Sequence, residues 1–209
     1  MKKRLFLLLL LCPCLLTLHA QSARSVLDAT AARMTQSGCV RAQFKVTQFK
    51  GTTPESEFAG TMLMQGRKFR MEAEDITTWF DGKTQWSMIP ESREVNISEP
   101  SDEELATMNP YALINLYKKG YRYSLRKTSL RGKPTYEVHL MAKSKKASFI
   151  DIYVDVDQAT YNPLCFRAKQ NGNWLRLSIL SFLPNQKATD ADFTFPTMQY
   201  PDVEVIDLR

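Results

Sequence analysis

Few side chains in this sequence have the types and spacing that catalysis or metal binding requires. His139 is the one histidine after the first twenty residues, and it falls on the polar side of a predicted strand. Asp151, Asp155 and Asp157 could bind calcium or act as an acid–base pair. The first two share the polar face of one strand, where a carboxylate is ordinarily solvated. With no glycine-rich phosphate loop, nucleophile elbow or His/Cys ligand spacing beside them, the sequence predicts no enzyme, no metal site and no cofactor.

Two of the four cysteines lie after the first twenty residues, namely Cys39 and Cys165. Each of them falls on the polar side of its predicted strand. An exported protein meets oxidising conditions, so the pair could form a disulfide. Bridging requires Cα atoms within roughly 7 Å of each other, which spacing along the chain does not reveal. A Cys39–Cys165 disulfide and two free thiols therefore both remain open.

The first twenty residues are typical of a secretory signal peptide. Residues 2–4 are basic, residues 5–11 are apolar, and residues 18–20 offer a cleavage site after Ala20. The apolar run is shorter than a membrane-spanning helix requires. Neither Cys12 nor Cys14 follows a small residue, so we expect no lipid-modified cysteine. The prediction is a soluble exported protein with a signal peptide at 1–20, cleaved after Ala20, and a single domain at 21–209.

Charge says little about the partner of this domain. The leader carries three of the 28 basic residues and none of the 22 acidic ones, which leaves a net charge of +3. No dense basic–aromatic tract accompanies that charge, so nucleic-acid binding is not expected. Lys143, Lys145 and Lys146 form a basic tip between two strands. This tip is either a solvated turn or a feature that steers docking to an acidic surface.

Hydrophobic periodicity gives the strongest structural signal. Eleven short segments alternate apolar with polar residues, as antiparallel strands with one wet face do. Residues 68–73 are the clearest case, and Asp81–Gly82 marks a tight hairpin between 76–80 and 84–89. The phase slips at residues 180–182, which indicates a β-bulge. Residues 193–196 are predicted to form a last short strand.

Two helical regions interrupt the strands. Residues 25–36 place apolar side chains at helical spacing, and Gly38 ends the run. Residues 101–120 begin with a capping box of Ser101 and Glu104, and restart at Asn109–Pro110. The second part of this insert is apolar over most of its circumference, so it needs an apolar surface to lie on.

These patterns predict a mostly-β fold: an incomplete antiparallel β-barrel with an N-terminal helix and a helical lid over its apolar concave face. Methionine is unbranched and polarisable, so methionine-rich strands suit a wall that adapts to varied apolar ligands. The same residues could instead fill an ordinary core. On the first interpretation, the residues predicted to line the cavity and lid are Phe44, Phe58, Met62, Met64, Phe69, Met71, Trp86, Met88, Leu113, Leu116 and Tyr117.

Several sequence blocks resemble those of LolA-like outer-membrane lipoprotein carriers. Residues 58–64 (FAGTMLM) and 68–71 (KFRM) resemble the family's F-x-G-x-hydrophobic and K-F-R-hydrophobic blocks. Residues 80–86 (FDGKTQW) are similar to its D-G-K-x-x-W hairpin, and residues 193–196 with 205–207 resemble its tail. No one block is specific, but their order and spacing agree over essentially the whole chain after the leader.

The resemblance implies a periplasmic carrier, monomeric and non-catalytic, that shields the acyl chains of lipoproteins from water. Its implied partners are acylated lipoproteins, an inner-membrane lipoprotein-releasing transporter and an outer-membrane acceptor. Phe69 falls where the family places an aromatic residue at the barrel mouth. The family's lid latch is an arginine in a K-R-P-type turn. The turn here is Gln65-Gly66-Arg67-Lys68, without proline, so Arg67 is the nearest latch candidate.

Other functions fit parts of the same pattern. A lipid-binding or sensor module on the same scaffold would hold a different apolar ligand. An exported enzyme would need an acid–base constellation that the sequence does not offer. A structural β-domain would fill its own core and would bind no solvatochromic dye.

Overall fold

The strands of this protein form one continuous, open sheet. The computed structural model describes residues 22–102, 104–105, 116–118, 120–170 and 172–209. Within them, twelve strands pair in the order β12-β6-β5-β4-β3-β2-β1-β11-β10-β9-β8-β7. The neighbours that the residue registers join are antiparallel, except that β12 runs parallel to β6. The sheet ends at β12 and β7 without closing, so the predicted half-barrel is confirmed.

The sheet's strands are β1 (Cys39–Lys50), β2 (Thr53–Gln65), β3 (Lys68–Ala73), β4 (Ile76–Phe80), β5 (Gln85–Ile89), β6 (Glu94–Ser98), β7 (Tyr121–Leu130), β8 (Lys133–Ala142), β9 (Asp151–Asp157), β10 (Pro163–Gln170), β11 (Asn173–Gln186) and β12 (Glu204–Asp207). The predicted bounds of β3 and β4 match the observed ones. The predicted bulge is also present, because Gln43 pairs with Ser181 while Phe44 pairs with Ile179, which leaves Leu180 as the extra residue.

One helix, α1 (Ala23–Gln36), lies against the concave face beside β7 and β8. Ser22 caps it, with the Ser22 hydroxyl accepting from the backbone N–H of Ser25 at 3.0 Å. The chain leaves the helix through Gly38, whose φ of +62° favours glycine. The buried residues of this helix are Val26, Leu27, Thr30 and Met34, four of the five that helical spacing predicts.

The main core occupies the concave side between α1 and the sheet. Val40, Ala42 and Phe44 of β1 face Val138 and Leu140 of β8 across it, all at most 2% exposed. Alternation along each strand places these residues on one face, because successive side chains of a strand point to opposite sides. The curl of the sheet then brings strands distant in sequence over the same apolar interior.

The outer face of β4 and β5 carries a second, smaller core, and this corrects two predictions. Trp86 pairs with Trp79, and Met88 pairs with Thr77, so both face away from the concave side. They pack in a cluster with Val95 and Phe195. Trp86 and Met88 are therefore wrong as cavity residues. The apolar phase of β5 serves the outer face because the C-terminal segment returns to cover it.

That C-terminal segment does not form the predicted strand at 193–196. Residues Asp190–Phe193 form a 3-10 helix, with the Asp192 carboxylate accepting from the Thr189 backbone N–H at 2.7 Å. Phe193 is fully buried beside Cys39 and Leu63. Phe195 packs edge-on against Trp79 with ring centroids 5.4 Å apart. The alternating F-T-F-P pattern thus does not mark a strand. Its two phenylalanines instead pack against the outer face of the sheet.

The two cysteines are free thiols. Cys39 pairs with Gln186 and Cys165 pairs with Ser178, so their partners are eight positions apart on β11. At about 3.3 Å per residue this separates the cysteines by roughly 25 Å, far beyond disulfide reach. Of the two alternatives that the sequence left open, the structure has the free thiols.

We expect two thiols in the denatured protein without reductant, and slow reaction of both in the native protein. Burial raises the pKa of both thiols, that of Cys165 to about 11, so the reactive thiolate of Cys165 is about one part in a thousand at pH 8. Titration with a chromogenic disulfide reagent, with and without denaturant, measures both quantities. Finding no thiol in the unreduced denatured protein would contradict the structure.

Candidate ligand-binding cavity

A cavity of about 470 Å³ opens on the concave face at one end of the sheet. This is the end where β1 and β10 finish and β2 and β11 begin. Strand residues that alternate toward the interior form its walls, and four of them, Phe44, Val46, Met62 and Met71, also belong to the main core. The lining residues are Phe44, Val46, Gln48, Phe49, Glu55, Phe58, Met62, Met71, Gln170, Asn173, Trp174, Leu175 and Leu177.

Four predicted residues line this cavity: Phe44, Phe58, Met62 and Met71. The rings of Phe44 and Phe58 meet edge to face, with centroids 6.2 Å apart. Gly60, opposite Phe44, makes room for this arrangement, since a Cβ there would lie 2.9 Å from the Phe44 ring and 2.2 Å from the Glu72 carbonyl oxygen. The lack of a side chain at Gly60, the glycine of the F-x-G block, thus leaves room for the Phe44 ring to pack against β2.

Met64 and Phe69 lie deeper, in the packed core. Met64 is 2% exposed and Phe69 is fully buried, with its ring 5.4 Å from that of Phe80. The expectation of Phe69 at the mouth is therefore wrong. The aromatic residue at the open end is Phe58, which is 36% exposed. A charge at Phe69 would disrupt the fold rather than test ligand binding.

Sequence reasoning did not assign Val46, Phe49, Trp174, Leu175 and Leu177 to the site. The alternation of Leu175 and Leu177 is visible in the sequence and gives them one face. What the sequence does not show is that β11 pairs with β1, which brings that face beside Phe44 and Val46. The wall residues of β1 and those of β11 are more than 120 residues apart along the chain.

The start of the predicted lid contacts the body of the protein. Ser101 and Glu104 form the predicted capping box, with the Ser101 backbone N–H donating to Glu104 Oε2 at 2.8 Å. Leu105 is 3% exposed within the main core. Arg67 Nη2 lies 3.0 Å from Asp102 Oδ1, so the latch candidate contacts this segment. Both side chains are mostly exposed, and such pairs stabilise little.

The far end of the lid is held more firmly. Tyr117, in the 3-10 helix Leu116–Lys118, is 2% exposed in the main core. Its hydroxyl donates to Asp28 Oδ1 of α1, and the Tyr123 hydroxyl donates to its carbonyl oxygen. Burial, together with the hydrogen bond to Asp28, raises the pKa of Tyr117, so the hydroxyl keeps its proton. Leu113, Asn109–Pro110 and the side chain of Leu116 lie outside the described residues.

We expect Tyr117→Phe to speed ligand release by about threefold to tenfold. The variant keeps the ring but loses the hydrogen bond to Asp28, which contributes about 0.5–1.5 kcal/mol to holding this end of the predicted lid against α1. Displacement of a bound fluorescent fatty acid, followed by stopped flow, measures the rate. Tyr200→Phe removes a hydroxyl on the outer face and is the matched control. Equal rates in the two variants would rule out a latch at Tyr117.

The carboxylates considered for chemistry lie on the outer face, away from the cavity. Asp155 is 4% exposed, and its Oδ2 lies 3.2 Å from Arg167 Nη2, which also bonds Glu137. Burial raises the pKa of Asp155. Asp155 is therefore an internal ion-pair partner rather than the solvated group that its strand phase suggests. His139 Nε2 lies 2.9 Å from Asp151 Oδ1, and its ring stacks on Tyr153.

Neither a metal cluster nor a membrane-spanning helix is found in the described part of the chain. No group of three or more His, Cys, Asp or Glu side chains there could hold a metal ion. None of its helices has the length and apolar character to cross a bilayer. The cavity on the concave face has the size and the apolar, aromatic walls of a small-molecule ligand site.

Comparison with known proteins points to one family and one fold. The sequence matches the family model described as "Outer membrane lipoprotein carrier protein LolA" over residues 14–172. No curated protein matches the sequence. The chain is similar to an uncharacterised conserved protein from Thermus thermophilus, with a TM-score of 0.61 and 16% identity, covering 90% of this chain and 99% of that one. This likeness indicates a shared fold.

Two further solved structures show weaker likeness. A LolA superfamily protein from Nitrosomonas europaea aligns with a TM-score of 0.46 and 11% identity, over 84% of this chain and 99% of that one. LprF from Mycobacterium bovis aligns with a TM-score of 0.48 and 9% identity, over 80% of this chain and 96% of that one.

Proposed function

This chain belongs to the LolA family of outer-membrane lipoprotein carriers, and from that premise we propose that it is a periplasmic carrier of lipoprotein acyl chains. It binds the chains in its apolar cavity and ferries them toward the outer membrane. The cargo is an acylated lipoprotein, loaded from an inner-membrane releasing transporter and passed to an outer-membrane acceptor. The protein performs no catalysis and needs no cofactor.

The observation that carries the proposal is the unfilled apolar cavity on the concave face. Its walls present Phe58, Leu175 and Leu177, none of which is fully buried by the protein itself. Burying a methylene is worth about 0.8 kcal/mol, so about ten methylenes gain about 8 kcal/mol before ordering costs. A wall that is left apolar and accessible favours a ligand whose own surface is hydrocarbon.

Release of such a cargo requires a competitor for the same surface, and in this proposal the predicted lid is that competitor. Leu105 and Tyr117 bury apolar surface against the main core, while the Arg67–Asp102 pair at its start is exposed. The contacts described at its two ends, apolar packing, one exposed ion pair and the Tyr117 hydrogen bond to Asp28, cost little to displace. This suits a carrier that must both load and unload.

Analysis of the material bound to protein recovered from the periplasm tests the proposal. Native mass spectrometry and lipid extraction should find acylated lipoprotein or its acylated N-terminal peptide. Protein that carries nothing, and binds no solvatochromic dye, would overturn carriage and favour a filled structural domain.

A second candidate is a module that binds one small lipid rather than a lipoprotein. The cavity volume favours it, because about 470 Å³ falls within the roughly 300–1,000 Å³ of ordinary small-molecule sites. In the same experiment, a free lipid without attached peptide would support this candidate over the lipoprotein carrier.

A further inference from the structure

The rim of the cavity carries a second, outward-facing pocket. Its volume is about 350 Å³, and it shares Phe49, Trp174 and Leu175 with the apolar cavity. Successive residues of β11 point to opposite faces, so Leu175 lines the inner side while Trp174 and Arg176 face outward. A ligand that leaves the inner cavity at this rim therefore passes directly onto the outer pocket.

Two cations lie on the aromatic residues of this rim. The Arg176 guanidinium lies 4.5 Å from the centroid of the Phe49 ring. The Lys169 ammonium lies 5.9 Å from the centroid of the Trp174 ring. Neither forms an ion pair with a carboxylate among the described residues, whereas Arg167 beside them is neutralised by Glu137 and Asp155. The rim thus presents positive charge next to an apolar opening.

The surroundings of the rim have the same sign. The loop after β8 carries the exposed Lys143, Lys145 and Lys146, and it is tied to this end because the Ile150 backbone N–H donates to the Lys169 carbonyl oxygen at 3.2 Å. Three carboxylates lie at the same end of the sheet: Asp151 of β9, which is paired opposite Lys169 and hydrogen-bonded to His139, and Glu55 and Glu57 of β2. Glu57 is neutralised by Lys45 at 2.6 Å, and Glu55, which lines the cavity, is exposed. The net charge of the side chains at the rim remains positive.

We propose that the cavity binds an amphiphile with an anionic headgroup, whose hydrocarbon tail lies in the cavity and whose headgroup binds Arg176 and Lys169 at the rim. This rests on the proposed function and deepens its second candidate, the small-lipid module: it assumes an acyl chain in the cavity and names the headgroup as anionic, whereas an acyl chain in ester or amide linkage to a lipoprotein carries no such charge. Cations next to an apolar opening attract a carboxylate or phosphate, while the tail supplies most of the binding free energy.

Two probes that share the same hydrocarbon tail distinguish binding of the headgroup from binding of the tail. They are cis-parinaric acid, which is anionic at pH 8, and its neutral methyl ester. Both should bind the full-length mature protein with a rise in probe fluorescence. In Arg176→Gln/Lys169→Gln, affinity for the acid should fall by about threefold to tenfold and affinity for the ester by less than about twofold. Added salt should weaken binding of the acid to the wild type more than to the variant.

A matched variant controls for net charge. Lys127→Gln/Lys187→Gln removes two exposed cations outside the rim and should leave both affinities unchanged. Thermal melting should show that both double variants are folded. If the rim variant weakens both probes equally or neither, the headgroup site is wrong although the cavity binds acyl chains. If neither probe binds the wild type, the carrier function itself fails.

Discussion

Leu175→Glu should reduce acyl-chain binding at least about tenfold and leave the protein folded. Leu175 lines the cavity and is only half-buried, so a glutamate there keeps access to water in the empty protein. When a hydrocarbon tail enters, the carboxylate must lose that water without gaining a partner. Desolvating an unpaired polar group costs a few kcal/mol, and each 1.4 kcal/mol is a tenfold loss of affinity. Titration with cis-parinaric methyl ester measures it.

The same strand provides the control for this variant. Leu180 is the bulged residue of β11, 54% exposed and outside the cavity, so Leu180→Glu adds the same charge without touching the ligand. It should bind the ester like the wild type and melt at a similar temperature. Retained binding in Leu175→Glu, with the protein folded, would place the ligand elsewhere on the molecule.

Phe69→Ala should lower the free energy of unfolding by about 3–5 kcal/mol, the usual cost of removing a buried phenylalanine. Phe69 is fully buried, and its ring contacts that of Phe80 on the neighbouring strand. The rigid sheet on one side limits collapse around the vacated space, so a cavity remains. Urea unfolding followed by tryptophan fluorescence measures the loss.

Phe58→Ala is the informative comparison, because Phe58 is 36% exposed and lines the ligand cavity. Its unfolding free energy should change by less than that of Phe69→Ala, while its affinity for the fluorescent ester should fall. If the Phe69→Ala protein were stable and only its ligand binding were weakened, Phe69 would belong to the binding site.

The local elements were predictable because each depends on neighbours in the sequence. Strict alternation predicted the strand at Lys68–Ala73, and the Asp81–Gly82 turn predicted the strand at Ile76–Phe80, both with the observed bounds. The phase slip at Leu180 predicted the bulge, and Ser101 with Glu104 predicted a helix start whose hydrogen bonds are present. The resemblance of ordered motif blocks pointed to the family that the sequence match establishes.

The candidate site was predictable only in part. Phe44, Phe58, Met62 and Met71 line the cavity as predicted, since their apolar phase follows from alternation. Trp86 and Met88 have equally clear alternation but face the outer side. Period two separates the faces of a strand without saying which one is concave, because that depends on what covers each face.

The sequence by itself determined the family, the β-rich class and the alternation that gives every strand an apolar side. Only the tertiary structure decided which part of the concave face is packed and which part forms an open cavity. Leu27, Met34 and Tyr117 belong to the main core together with Phe69, whereas Leu175 and Leu177 of β11, which pairs with β1, line the open cavity. The β1–β11 pairing joins segments more than 120 residues apart, and its free energy depends on the curl of the whole sheet, which no local pattern encodes.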